Sequence, residues 1–329
     1  MTPGLVTPPL RGGDRSAGGS CGFPGLAKLK ACWGKDDSRI APIEFGLATD
    51  LDAFDQVFRL IHDQYVARGY ATPHPSGWRL SLHNALSTTR VFIARAAQRV
   101  IATLTLITES PLGLPMGEIY ADELDTLHNE ERRFGEVSAL AIDPEYRQLG
   151  MAILLRLIRM MVLYASELAR LTDLCIAVNP RHVALYRNAF QFEVIGPLKP
   201  YGKVNGASAV ALRFDLGLVK ALRRELGESP PMRDGIHRAL FDQDTCREVL
   251  ARMTAELGRA AFSREHFEYF LRRHTAWLEA PAAHRAYVAS QYEGAEAAPE
   301  SEPTFGPWAL GLGDIDLSAL GMPDPSPAT

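Results

Sequence analysis

The residues that could do chemistry begin at Arg147. The chain there runs Arg147, Gln148, Leu149, Gly150, Met151, Ala152, and a long apolar helical pattern starts at once. A helix N-terminus leaves backbone N–H groups unpaired and carries partial positive charge. Small residues let an anion approach those groups, and an arginine adds charge. The stretch therefore reads as a phosphate cradle; a helix start whose Gly150 only relieves packing is the plainer reading. No Gly-Lys-Ser/Thr follows, so this is not a nucleotide P-loop, and GxGxxG is absent.

Other candidates flank the cradle. Glu136 opens the apolar stretch GEVSALAID at 135–143. Alternation along a strand would put Glu136, Ser138, Leu140 and Ile142 on one face, with Val137, Ala139 and Ala141 on the other. Glu136 is either a proton acceptor or a salt-bridged carboxylate at a strand end. Asn179 closes the stretch DLCIAVN and could bond an amide of a ligand or cap the helix at Pro180. Tyr186 sits on that helix, as a proton donor or as a core tyrosine with its hydroxyl at the edge. His182 lies in the first turn, where a structural role fits better. The other histidines show no metal spacing and HExxH is absent, so no metal is expected. Cys175 lies mid-strand in an apolar run and reads as buried and inert.

The elements that must position these residues follow from periodicity. Residues 43–49 read as a strand, and Thr49 or Asp50 can cap the helix behind it. Leu51, Phe54, Val57, Phe58, Ile61 and Tyr65 recur at helical spacing until Gly69. Residues 89–97 and 99–108 form two strands around a turn at Ala97-Gln98. The strand at 135–143 ends at Pro144, and a helix spans 148–169. A strand at 173–179, a helix from Pro180 and strands at 192–198 and 207–216 complete the order. The fold class is α/β (α+β), a mixed central sheet flanked by helices. We divide the chain into a disordered N-terminal tail (1–38), a catalytic domain (39–217), a helical annex behind it (218–292) and a disordered Pro-rich tail (293–329).

The cradle resembles the R/Q-x-x-G-x-G/A signature of the GNAT acyltransferase superfamily, with Arg147, Gly150 and Ala152 in register. The lead-in LAIDPEY and the later NPRHVALYRNAFQF fit that family, through Asn179, Ala184, Tyr186 and Phe192. Gln191 stands where the family usually has glycine, so the turn there is expected to differ. Within the superfamily, residues 178–216 look like the FeeM-type long-chain N-acyl amino acid synthases, relatives of the acyl-homoserine lactone synthases. The shared look lies in Pro180-Arg181-His182, Phe192, Pro200-Tyr201, Val204-Asn205 and the closing strand.

That resemblance implies a GNAT-like fold and an acyl transfer from a phosphopantetheine thioester to an amino acid amine. It implies Glu136 as general base and Tyr186 as general acid. Leu140, Ala141 and Ile142 would line the pantetheine arm, with a backbone N–H near Leu140 on the thioester carbonyl. Arg147 through Ala152 and Asn179 would hold the rest of the donor. The donor is acyl carrier protein or coenzyme A, as a co-substrate, with no tightly bound cofactor. An ordinary acetyl-coenzyme A N-acetyltransferase and a non-catalytic acyl-thioester adaptor stay open as alternatives.

Composition narrows the partners. A net charge of −4 and a pI near 6.2 give no global pull toward nucleic acid or anionic membrane. Arg147, Arg156, Arg159, Arg181, Arg187, Lys199 and Lys203 make one basic region, where an acidic carrier protein would dock. The four cysteines form no CxxC pair, so a disulfide framework is not expected and a reducing compartment is. No uncharged apolar run reaches membrane-spanning length and no secretory signal is read, which places the chain in the cytoplasm.

Overall fold

A computed structural model describes residues 39–128, 132–219 and 243–292. Both tails assigned above, 1–38 and 293–329, lie outside the described residues, as does the first part of the annex.

Strand β1 (Ile43–Leu47) leads into helix α1 (Leu51–Ala67). Of the two possible caps, Asp50 is the one used: its Oδ1 accepts the Ala53 N–H at 2.8 Å. Gly69 leaves the helix at φ +72°, a conformation that suits glycine. Strands β2 (Arg90–Ala96) and β3 (Arg99–Thr108) form the expected hairpin, with Ala97 at φ +53° in its turn. Helix α2 (Gly117–Leu127) and strand β4 (Phe134–Ile142) follow.

A 3-10 turn (Pro144–Leu149) precedes helix α3 (Gly150–Leu163), which closes in a π-helical turn (Tyr164–Leu168). The helix expected over 148–169 is thus a 3-10, α and π succession. Next come β5 (Asp173–Val178) and α4 (Val183–Phe190). The strand expected at 192–198 shrinks to β6 (Glu193–Val194) and β7 (Lys199–Pro200). Strand β8 (Ser208–Asp215) ends the sheet. Its order is β1-β2-β3-β4-β5-β8-β6, with β7 on β8; every pairing is antiparallel except β4 with β5.

One core lies between one face of the sheet and α3; the other lies under α1 and α2. Helix α3 is buried on nearly all sides because α5 (Gln243–Glu256) packs on its outer surface. The run Pro144–Leu168 is long and apolar enough to cross a membrane. However, 78% of its apolar window is buried inside the protein, so it is a core helix.

The described part of the annex wraps around the β1 edge. Glu256 Oε2 accepts the Leu47 N–H at 2.9 Å, sealing an exposed strand edge. The chain then crosses to the opposite face. There Phe262 stands edge-on to Phe54 at 5.3 Å and Phe270 edge-on to Phe58 at 5.2 Å. Each such buried ring contributes roughly 1.5–3 kcal/mol of apolar burial.

Gln191 was expected to change the turn after α4. Instead it takes the left-handed conformation glycine would take, at φ +59° and ψ +30°, and caps the helix with its N–H on Tyr186 O. The turn is kept and strain is accepted. Replacing Gln191 with Gly is expected to raise stability by about 0.5–1 kcal/mol, read as a higher urea midpoint with unchanged m.

His274 supplies a pH prediction. Its burial against His74, ring centres 4.3 Å apart, lowers its pKa to about 4. Between pH 6.5 and 4 the unfolded chain binds the proton that the folded chain refuses, so stability falls as pH drops through that window. The loss from this one group is about 3 kcal/mol. His266 and His284 shift in the same direction through burial. His274 Nδ1 accepts the Ala276 N–H at 3.1 Å, a bond that asparagine can imitate. Equilibrium unfolding at pH 7 and pH 4.5 should therefore show a smaller difference for His274→Asn than for the parent chain.

Candidate active site

Strands β4 and β5 pair in parallel over only three residues, Phe134, Glu136 and Gly135 against Asp173, Cys175 and Leu174. Beyond Glu136, β4 continues to Ile142 along β3, and beyond Cys175, β5 continues to Val178 along β8. The facing edges of 137–142 and 176–178 share no ladder. The sheet is split there into a V.

The closed end of the V is pinned by charge. Asp173, 1% exposed, pairs with Arg213, and Arg132 Nη1 reaches it at 3.1 Å. Arg213 also meets Glu193 and Asp215 at 3.2 Å each. Gly135 allows the close approach here, since a Cβ would lie 2.6 Å from Leu171 Cδ1.

Strand β4 carries a bulge that overturns the simple alternation. Thr105 pairs with Ser138 and Thr103 with Ala141, so β4 uses one residue more than β3. Ala139 absorbs it at φ +52°. Past the bulge, Ala139 and Ala141 join the α1 side, while Leu140 and Ile142 turn with Val137 toward α3. Glu136 therefore does not share a face with Leu140 and Ile142.

At the open end on the α3 side stand the cradle residues. Asp143 Oδ1 accepts the Glu145 N–H at 2.9 Å and caps the 3-10 turn, while Leu149 gives α3 no side-chain cap. Gly150 uses its own N–H on Arg147 O. Arg147 and Gln148 are exposed, Leu149 is half-buried, and Met151 and Ala152 are buried. Asn179 Oδ1 accepts the Arg181 N–H at 3.2 Å, so of its two readings the cap is made. Tyr186 is buried beside Phe190 and Phe192, at 5.9 and 5.4 Å between ring centres. His182 is buried and its Nε2 meets Arg181 Nε at 3.1 Å, which fits a structural role.

On the α1 side Glu136 is 0% exposed, and its Oε2 accepts the Met116 N–H at 2.7 Å. Tyr201, also 0% exposed, donates its hydroxyl to Pro115 O at 3.3 Å. The segment entering α2 thus ties both groups together. Burial, then the Glu136 charge, pushes the Tyr201 phenol up; the same two causes raise the Cys175 thiol. Cys175 stays a thiol and is inert, as its apolar surroundings implied. Glu136 and Tyr186 lie on opposite sides of the sheet, with the V between them.

The sequence reading did not single out Tyr201 as a neighbour of Glu136, nor α2, which supplies the Met116 N–H. It also counted Lys199 in the basic region, whereas Lys199 is tied to α2 through Glu123 at 2.6 Å and Ile119 O at 2.8 Å. Arg147, Arg181 and Arg187 remain exposed there. Among the described residues no group of His, Cys, Asp and Glu is arranged to hold a metal.

Residues 56–215 match the family described as N-acyl amino acid synthase FeeM. This region belongs to the FeeM family. It is an N-acyltransferase. Similar solved structures include FeeM, an N-acyl amino acid synthase from uncultured soil microbes. It is 26% identical, over 53% of this chain and 92% of that one, with a TM-score of 0.47. BjaI, a CoA-dependent acyl-homoserine lactone synthase solved with SAM and isopentyl-CoA, is 18% identical over 60% and 98%, at 0.43. An N-acetyltransferase from Staphylococcus aureus Mu50 is 18% identical over 54% and 99%, at 0.34. No curated protein matches the chain.

The bulge generates a prediction. A β-branched side chain is strongly disfavoured at φ +52°. Ala139→Val should cost about 2 kcal/mol and abolish acyl transfer by realigning β4, whereas Ala139→Gly should match or exceed the parent stability. Urea unfolding of the two variants checks it.

Proposed function

We propose that the chain moves an acyl group, long-chain by preference, from an acyl carrier protein to the amine of an amino acid. The observation that carries this reading is the V between β4 and β5, with a buried carboxylate on one side and a buried phenol on the other. The pantetheine arm lies in the V against the inner edge of Val137–Ile142. Its phosphate rests by Arg147, Gln148, Leu149, Gly150, Met151 and Ala152, and Asn179 holds the opposite lip. Exposed Arg147, Arg181 and Arg187 receive the acidic carrier.

The acceptor ammonium approaches from the α1 side. Glu136 takes its proton, directly or through water, and the freed lone pair attacks the thioester carbon. The tetrahedral oxyanion is held by a backbone N–H near Leu140. Collapse breaks the C–S bond and Tyr186 gives its proton to the departing thiolate, while the second proton of the attacking nitrogen is released as the amide forms and restores the Tyr186 phenol through solvent. Products are the N-acyl amino acid and the free pantetheine thiol. Burial of Cys175 and Cys246 as free thiols suits a cytoplasmic setting.

The test is intact-protein mass spectrometry of an acyl carrier protein loaded with C2 to C16 chains, mixed with this protein and an amino acid pool. Loss of long acyl groups with matching N-acyl amino acids is expected. Glu136→Gln should lower kcat by roughly 100-fold or more and Tyr186→Phe by 10- to 100-fold. Consumption of acetyl-coenzyme A alone, with every carrier left loaded, would overturn the reading in favour of an ordinary acetyltransferase.

A further inference from the structure

A proton acceptor buried at 0% exposure has its proton affinity set by the donors around it, and one donor to Glu136 depends on a second residue. Glu136 Oε2 accepts the Met116 N–H at 2.7 Å. That N–H belongs to the peptide unit whose carbonyl is Pro115 O, and the same carbonyl accepts the Tyr201 hydroxyl at 3.3 Å. One planar amide therefore stands between phenol and carboxylate, gripped at both ends. Donation into its carbonyl draws electron density from the amide and makes its N–H a better donor.

Both ends are held in place. The Tyr201 N–H donates to Ala207 O at 3.0 Å, and Tyr201 O accepts the Val204 and Gly206 N–H groups at 3.2 and 3.0 Å. This turn is fastened to the end of α1, since Asn205 Nδ2 donates to Gly69 O at 2.7 Å. The Tyr201 ring is packed in the core under α1 and α2. At the other end, Met116 O accepts the Ile119 and Tyr120 N–H groups at 3.1 and 2.9 Å, which ties the amide into the first turn of α2. Phenol, amide and carboxylate thus belong to three separate parts of the chain, brought into one line by packing.

Other ionisable groups act on this corner. Cys175 pairs with Glu136 across β4 and β5, and the charges of Glu136, Asp173, Arg213 and Glu109 act on it. Glu109 is itself paired with His128 at 2.9 Å. On Tyr201 act Glu136, Glu118, Tyr65 and Arg79. Burial first, then Glu136, pushes both the Cys175 thiol and the Tyr201 phenol up, so each keeps its proton where the enzyme works. Tyr201 is therefore a hydrogen-bond donor throughout that range.

We infer that Tyr201 is a positioning residue: through the amide of Pro115 and Met116, its hydroxyl aims and strengthens the N–H that keeps Glu136 in its ionised, proton-accepting form. The inference rests on the reading of Glu136 as the general base. It assigns Tyr201 no proton transfer of its own.

The experiment compares the pH profile of kcat/KM for Tyr201→Phe with that of the parent, using the same loaded carrier protein and acceptor. The substitution keeps the ring, removes the hydroxyl and weakens the N–H bond, which favours the protonated carboxylate. The acid limb should therefore move to higher pH. On that limb the variant should be about 3- to 10-fold slower than the parent, and the deficit should shrink as pH rises to the plateau. The acceptor ammonium titrates alike with both enzymes, so comparison at each pH removes its contribution. With 3-fluorotyrosine placed at position 201 alone, a more acidic phenol and a stronger donor, the limb should move to lower pH; this variant decides the matter if the Phe variant unfolds. A deficit equal at every pH, or a limb that stays where the parent has it, overturns the inference. Undiminished kcat/KM in Glu136→Gln would refute the reading of Glu136 as the base, and this inference with it.

Discussion

The fold turns on a partial pairing. Strands β4 and β5 are held together for three residues and then part. The Asp173 ion network pins the near end, and its buried aspartate would be left with Arg132 alone if Arg213 were lost. Each strand remains satisfied on its outer side, β4 by β3 and β5 by β8, so the split leaves only the inner edges in need of a partner.

The helices divide the labour of the site. Helix α3 and the residues before it bring Arg147 to Ala152 to the end of β4, and α4 brings Tyr186 to the same side. On the far side α2 is oriented by Tyr120, whose hydroxyl donates to Ala209 O at 2.6 Å, and this fixes the Met116 N–H against Glu136. The bulge at Ala139 separates the two sides chemically. Before it, β4 shows a carboxylate to α1 and α2; after it, small alanines face that way and the larger Leu140 and Ile142 face α3.

Much of this was legible in the sequence, and the exceptions have physical causes. The amphipathic period of α1 and its Asp50 cap, the β2–β3 hairpin and the apolar α3 all announce themselves. The bulge does not, because VSALAI is apolar throughout and its alternation carries no contrast to reveal a slip. Helix α2 hides behind the Pro- and Gly-rich PLGLPMG that opens it. Gln191 misleads in the other direction: the residue departs from glycine but the backbone does not. The full burial of α3 is equally unreadable, because its outer cover comes from α5, about 90 residues downstream.

The seal between Leu47 and Glu256 joins residues 209 apart in the chain. On a ribosome adding about 5–20 residues per second, the edge of β1 stays open for roughly 10 to 40 seconds after it is made. The same wait applies to Phe54 and Phe58, whose partners arrive later still with Phe262 and Phe270. Nascent chains of this protein therefore carry an unpaired strand edge and an uncovered aromatic face for most of their synthesis, which makes them natural clients of chaperones at the tunnel exit.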